Sequence, residues 1–236
     1  MDQPELFSDD QDNTIVEFNE SFYRDKEFKN IKYRDKRIKD TEFYNCTFLL
    51  CYFSKSKFFN CEFEKCSFIS SDLSLINPDN SKFVDVSFKK SKVIGVDWTL
   101  IKALSAPSKF NFYECKIDNS SFQGLNLQGI KFIDCSAHDV DFYETDLSKS
   151  EFPSTDLLNS RFVNTNLNFA DLSKANNYSI DPSLNKIKKA IFSFPEVTTL
   201  LNYFDIVFKV LACFFDILLI LQNVRDVLAL EGLTLH

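Results

Sequence analysis

Apolar residues return at every fifth position along most of this chain. From Phe18 the series runs Tyr23, Phe28, Tyr33, Ile38, Phe43, Phe48, Phe53, Phe58, Phe63, Phe68 and Leu73. After Pro78 it continues as Phe83, Phe88, Val93 and Trp98. The phase then slips by one and resumes as Phe112, Ile117, Phe122, Leu127, Phe132, Ala137, Phe142, Leu147, Phe152, Leu157, Phe162, Leu167 and Leu172. A period of five matches neither the 3.6 of a helix nor the two of a strand. On a straight strand an odd step would send successive apolar residues to opposite faces. The chain must therefore turn a corner within every five residues, which makes it a solenoid.

Positions two apart face the same way, so the residue two before each centre also points inward. That position holds mainly Ser, Thr, Val and Cys, as a narrow interior requires; Lys26 and Lys36 break the pattern near the start. In the second block phenylalanine alternates with aliphatic residues every ten positions. Four repeats, or 20 residues, then complete one square turn. Cys46, Cys51, Cys61, Cys66, Cys115 and Cys135 all fall on the small inward position, so they read as buried thiols acting as small hydrophobes. A zinc site would need four convergent ligands, whereas these lie on different walls.

Composition narrows the class. The net charge is −7 and the pI about 5.0, which argues against a nucleic-acid ligand. The odd count of seven cysteines suits a reducing compartment. The first residues, MDQPELFSDDQDN, lack the basic and apolar regions of a signal peptide, so 1–15 is expected to be a flexible acidic tail of a cytoplasmic protein. The repeats occupy 16–194, with an irregular loop at 99–109. Nothing suggests an enzyme or a cofactor: the only histidines are His138 and His236, and no glycine-rich phosphate loop is present.

DFYET (141–145), TDLSK (145–149), TDLLN (155–159), TNLNF (165–169) and ADLSK (170–174) resemble the pentapeptide repeat family, whose loose consensus is A(D/N)LXX. The resemblance implies an all-β fold, a right-handed quadrilateral β-helix. NNYSIDPSLNKIKKAIFSFPEVTTLLNYFDIVF (176–208) is similar to the end of the topoisomerase-protecting members, the quinolone-resistance and microcin-immunity proteins. In those, an Ile-Asp-Pro turn leads to a last strand and a Pro-started dimerisation helix. The resemblance thus implies a C-terminal α-helix over 195–208, with Val197, Leu200, Leu201 and Phe204 as its apolar stripe and a homodimer as its product. Capping the open end of the coil is the alternative use of that helix. The hydrophobic extension 209–236 departs from the family; its strongest run, Val210–Leu221, is short for a bilayer span and carries Asp216. An extra helix is favoured over a membrane anchor, and an altered reading frame also fits.

Charge is the remaining clue. Residues 17–98 hold 15 basic and 13 acidic residues, whereas 110–176 hold 5 and 10. A 20-residue turn places Glu114, Asp134, Glu151 and Asp171 on one wall and Asp118, Asp139 and Asp156 on the next, with Asp141, Glu144 and Asp146 also outward. Such carboxylate ladders resemble duplex DNA in charge and width; a merely solubilising surface is the alternative. With the resemblance, the expected function is a DNA mimic that binds DNA gyrase or topoisomerase IV and counters a fluoroquinolone or peptide poison. A structural interaction scaffold is the alternative, and a membrane-associated protein a weaker third. Leu100, Ile101 and Lys102 in the irregular loop are further contact candidates, unless that loop tucks back as a plug.

Overall fold

The computed structural model describes residues 17–102, 109–204 and 206. The chain divides into two compact units, Met1–Tyr203 and Phe204–His236. The first unit is a β-solenoid of parallel short strands. They are β1 (Phe22–Arg24), β2 (Glu27–Lys29), β3 (Arg37–Lys39), β4 (Glu42–Tyr44), β5 (Thr47–Leu49), β6 (Lys57–Phe59), β7 (Glu62–Glu64), β8 (Ser67–Ile69), β9 (Lys82–Lys89), β10 (Lys109–Tyr113) and β11 (Phe132–Ile133).

Each strand pairs with the one a full coil later. Tyr23 lies against Phe43, Phe43 against Phe63 and Phe63 against Phe83, while Phe28, Phe48, Phe68 and Phe88 form a second column. These steps of 20 residues match the expected coil. Across the insertion the step lengthens to 24, pairing Phe88 with Phe112 and Lys92 with Lys116. Later coils continue as isolated parallel bridges such as Lys131 to Glu151 to Asp171 to Ile191.

The centres fill the interior. Rings within a column stack, as in Phe43–Phe63 at 4.9 Å and 4° and Phe112–Phe132 at 5.4 Å and 3°. Rings in neighbouring columns meet edge to face, as in Phe122–Phe132 at 5.7 Å and 76°. Both geometries suit the ring quadrupole. Each buried side chain of this kind contributes roughly 1.5–3 kcal/mol. Pro78, the exception in the series, is itself buried at a centre position.

The small inward residue does more than fit. Its hydroxyl or thiol donates to the carbonyl of the centre residue in the preceding coil: Ser71 Oγ to Phe48 O at 3.1 Å, Thr155 Oγ1 to Phe132 O at 2.7 Å, Cys66 Sγ to Phe43 O at 3.3 Å. Several of these oxygens also accept a backbone N–H from that coil, as Thr155 Oγ1 does from Cys135 N at 3.3 Å. All six described cysteines are buried and free. Burial pushes the Cys51, Cys61 and Cys115 thiols up to about 11 and Cys66 to about 12.

Corners are made by the residue two after each centre, which takes a left-handed backbone. Asp25, Asn30, Asp35, Asp40 and Asn45 begin the series with φ between 50° and 57°. Asn and Asp visit this region more readily than other non-glycine residues.

Two expectations change. The α-helix over 195–208 is not what the described residues form: Glu196–Tyr203 is a 3-10 helix. Thr198 and Thr199 turn their hydroxyls onto Pro195 O and Glu196 O, each at 2.8 Å, three residues back. The stretch 99–102 does not bulge. Trp98–Leu100 is a short 3-10 turn capped by Asp97, and Lys102 N still donates to Ser81 O at 2.9 Å. Residues 103–108, the tail 1–16 and the 209–236 extension lie outside the described residues.

Candidate partner-binding faces

The expected acidic residues fall into two structural classes. Asp141, Asp146, Asp156 and Asp171 stand one before a centre. There each side chain accepts the backbone N–H two residues on, from Tyr143 (2.9 Å), Ser148 (2.9 Å), Leu158 (3.2 Å) and Ser173 (2.8 Å). This local turn bond explains why the repeats favour Asp or Asn at that place. Asp118 is similarly engaged, accepting from Ser136 Oγ at 2.7 Å and His138 N at 3.0 Å.

Cross-coil partners neutralise part of this set. Lys131 pairs with Glu151 at 2.8 Å and Arg161 with Asp141 at 3.4 Å, while Asn166 Nδ2 donates to Asp146 at 3.0 Å. Burial works against the Asp156 charge. Hydrogen bonding from Asn177 and Leu158 N, with His138 Nε2 at 2.9 Å, nevertheless holds its carboxyl below the ordinary value of 3.8.

Glu114, Asp134, Asp139 and Glu144 form the second class. All four are exposed corner residues with φ of 53–56°. Glu114 and Asp134 occupy successive coils of one corner, and Glu114 lies 3.6 Å from Lys90. Glu144 raises the pKa of the neighbouring Tyr143 phenol. Asp134 and Asp139 form no ion pair among the described residues. Of these four corners, Asp134 and Asp139 are thus the ones that present negative charge without an ion-pair or side-chain hydrogen-bond partner among the described residues.

The other candidates separate as clearly. Leu100 is exposed, but Ile101 is only 8% accessible and belongs to the core, so it is not a contact residue. Lys102 is exposed. Leu200 is buried and Val197 packs on the same core, so both cover the last coil; Leu201 is half-buried and Phe204 exposed. Sequence reasoning missed the division of the carboxylates. Its signal was present, as Asp, Asn and Gly recurring two places after the centres.

No helix among the described residues is long and apolar enough to cross a membrane. Residues 111–148 and 141–176 match the model of the family described as pentapeptide repeats, in eight copies. No curated protein sequence matches the chain. Among solved structures, the chain is similar to a trypsin-treated variant of QnrB1, titled a plasmid-mediated fluoroquinolone resistance protein. The identity is 13%, the match covers 80% of this chain and 100% of that one, and the TM-score is 0.54. Full-length QnrB1 matches at 14% identity over 78% and 100% of the two chains, with a TM-score of 0.40. HetL, titled a protein involved in heterocyst differentiation regulation from the cyanobacterium Nostoc sp. strain PCC 7120, matches at 10% identity over 73% and 87%, with a TM-score of 0.34. With its five-residue period, its 20-residue coils and the family match over the second block of repeats, the chain is a pentapeptide repeat protein.

Proposed function

We propose that this protein is a non-enzymatic DNA mimic that binds DNA gyrase or topoisomerase IV and protects it from a fluoroquinolone or a peptide poison. The observation that carries this reading is the set of exposed corner carboxylates Glu114, Asp134, Asp139 and Glu144. Of these, Glu114 and Asp134 stand one coil, about 4.8 Å, apart on one corner, somewhat wider than the roughly 3.4 Å rise per phosphate along one DNA strand. A basic DNA-binding groove would be drawn to such corners. QnrB1 is described as a fluoroquinolone resistance protein, and the resemblance of 176–208 to the topoisomerase-protecting members supplies the candidate enzyme.

The test is a supercoiling assay with gyrase, a fluoroquinolone and either the parent or Glu114→Gln/Asp134→Asn/Asp139→Asn/Glu144→Gln. The parent should rescue supercoiling and the neutralised variant should not. Failure of the parent to rescue, with its fold intact, sinks the reading.

A scaffold for an unrelated protein is the second reading. The internal hydrogen bonds of Asp118, Asp141, Asp146, Asp156 and Asp171 favour it, because those carboxylates already serve the coil. Retention of other lysate proteins in place of gyrase subunits at low salt would select it. A homodimer through 195–208 would depend on Leu201 and Phe204, since Val197 and Leu200 face their own core. Light scattering of the full chain tests that dimer.

A further inference from the structure

The last coil departs from the charge of the rest. The whole chain carries −7, yet residues 172–195 hold four basic residues and one acidic one. That acid, Asp181, is already engaged: its carboxylate accepts from Ser183 N at 2.8 Å and Ser183 Oγ at 2.7 Å. Three of the bases, Lys186, Lys188 and Lys189, fall within four residues and are all exposed. None of them forms an ion pair among the described residues; the Lys189 ammonium lies over the Phe169 ring at 5.6 Å.

Register puts them on one wall. Lys186 pairs with Asn166 and Lys188 N donates to Asn168 Oδ1 at 2.8 Å, so the adjoining coil is uncharged there. Leu184, whose O accepts from Asn164 N at 3.0 Å, stands at one edge of the wall. Phe169 and Lys189 make the opposite corner. Ile191 follows just past it, paired with Asp171, whose carboxylate is held by Ser173 N and Oγ. Leu184, Phe169 and Ile191 are 49%, 48% and 54% exposed, so they add little to the core. Phe169 also sits at φ 61°, a left-handed corner that suits Asn or Gly. Such departures from local rules concentrate at functional sites.

We propose that this wall docks on an anionic phospholipid surface. Lysines bracketed by apolar side chains match such a surface at two depths: the ammonium groups at the headgroup phosphates, and Leu184, Phe169 and Ile191 at the acyl boundary. A nucleic-acid backbone would use the lysines and leave the apolar residues in water. The contact is reversible and weakens with salt. The net charge of −7 opposes any orientation that turns the carboxylate-rich coils to the membrane. This inference is independent of the gyrase reading.

Flotation of the full-length protein with vesicles tests it. Phosphatidylcholine alone should leave the protein behind; phosphatidylcholine containing phosphatidylglycerol should carry it at low salt and release it at high salt. Lys186→Gln/Lys188→Gln/Lys189→Asn should weaken binding roughly tenfold or more. Phe169→Asn/Leu184→Gln should weaken it roughly threefold or more with the salt dependence retained. Lys39→Gln/Lys55→Asn/Lys57→Gln, which removes three exposed lysines from the first two coils, should bind as the parent does. All of these side chains point outward, so thermal melts should match the parent. No binding of the parent to phosphatidylglycerol vesicles overturns the proposal, as does undiminished binding of the Lys186 variant or an equal loss in the first-coil control. Parent-like binding of the Phe169 variant overturns it in favour of a general polyanion site, which a labelled DNA duplex would then occupy as tightly as the vesicles. A dimer that dissociates in sedimentation when the three lysines are replaced overturns it in favour of a contact between copies.

Discussion

Every repeat asks its second residue after the centre to adopt a backbone that most side chains resist. Asn, Asp and Gly meet the demand at many corners, but Leu75 and Phe169 sit there with φ of 57° and 61° and are largely exposed. Asn should relieve part of the left-handed cost at Leu75, about 1 kcal/mol. Leu75→Asn is thus expected to raise the melting temperature by roughly 2–4 °C; an unchanged or lower value in calorimetry would show that the Leu75 contact over Gly95 outweighs the strain. The thiols give a second prediction at this scale. Burial raises Cys51, Cys61 and Cys66 from 9.0 to about 11–12, so above pH 9 the folded state holds protons that the unfolded state releases. Their contribution is complete below pH 9 and is lost as pH rises through the folded values. Denaturant unfolding at pH 8 and pH 10.5 should show a smaller alkaline loss for Cys51→Ser/Cys61→Ser/Cys66→Ser than for the parent.

At the scale of one coil, size and hydrogen bonding both select the small inward residue, and the period reveals only the first. Thr155→Val keeps the shape but leaves Cys135 N and Phe132 O without their partner, which should cost roughly 1–3 kcal/mol. A Val variant as stable as the parent would return the position to a matter of volume. Phe132→Ala instead removes a ring stacked on Phe112 and Phe152 and should cost roughly 3–5 kcal/mol in equilibrium unfolding. The solenoid, its 20-residue coil and its buried centres were legible because one face of every repeat must be apolar. The end of the repeats was not. Val197, Leu200 and Leu201 have helical spacing, yet Thr198 and Thr199 bond their hydroxyls back to the chain and the turn tightens to a 3-10 helix. At Ile101 the broken period left both a projecting loop and a tucked-back plug open; the buried side chain goes with the second, and the chain keeps its coil register as far as Lys102.

Across the whole solenoid, the acidic half was legible as composition, but composition cannot say which carboxylates are already in use. Asp141, Asp146, Asp156 and Asp171 bind their own backbone, and Glu151 and Asp141 have a cationic cross-coil partner, so their fields are partly spent inside the coil. The corner carboxylates Asp134 and Asp139 have no such partner among the described residues. This division predicts different outcomes for two equal changes in charge. Asp134→Asn/Asp139→Asn should keep the fold, since Asn suits a left-handed corner, and should slow association with gyrase while flattening the dependence of the on-rate on salt. Asp146→Asn/Asp171→Asn retains an acceptor for the N–H groups of Ser148 and Ser173. It should therefore also fold, with a smaller loss of on-rate. Stopped-flow association at several ionic strengths separates the two. Equal losses would mean that net charge alone steers the encounter, and the corners would lose their special place; no loss from either pair would remove the acidic faces from the contact altogether.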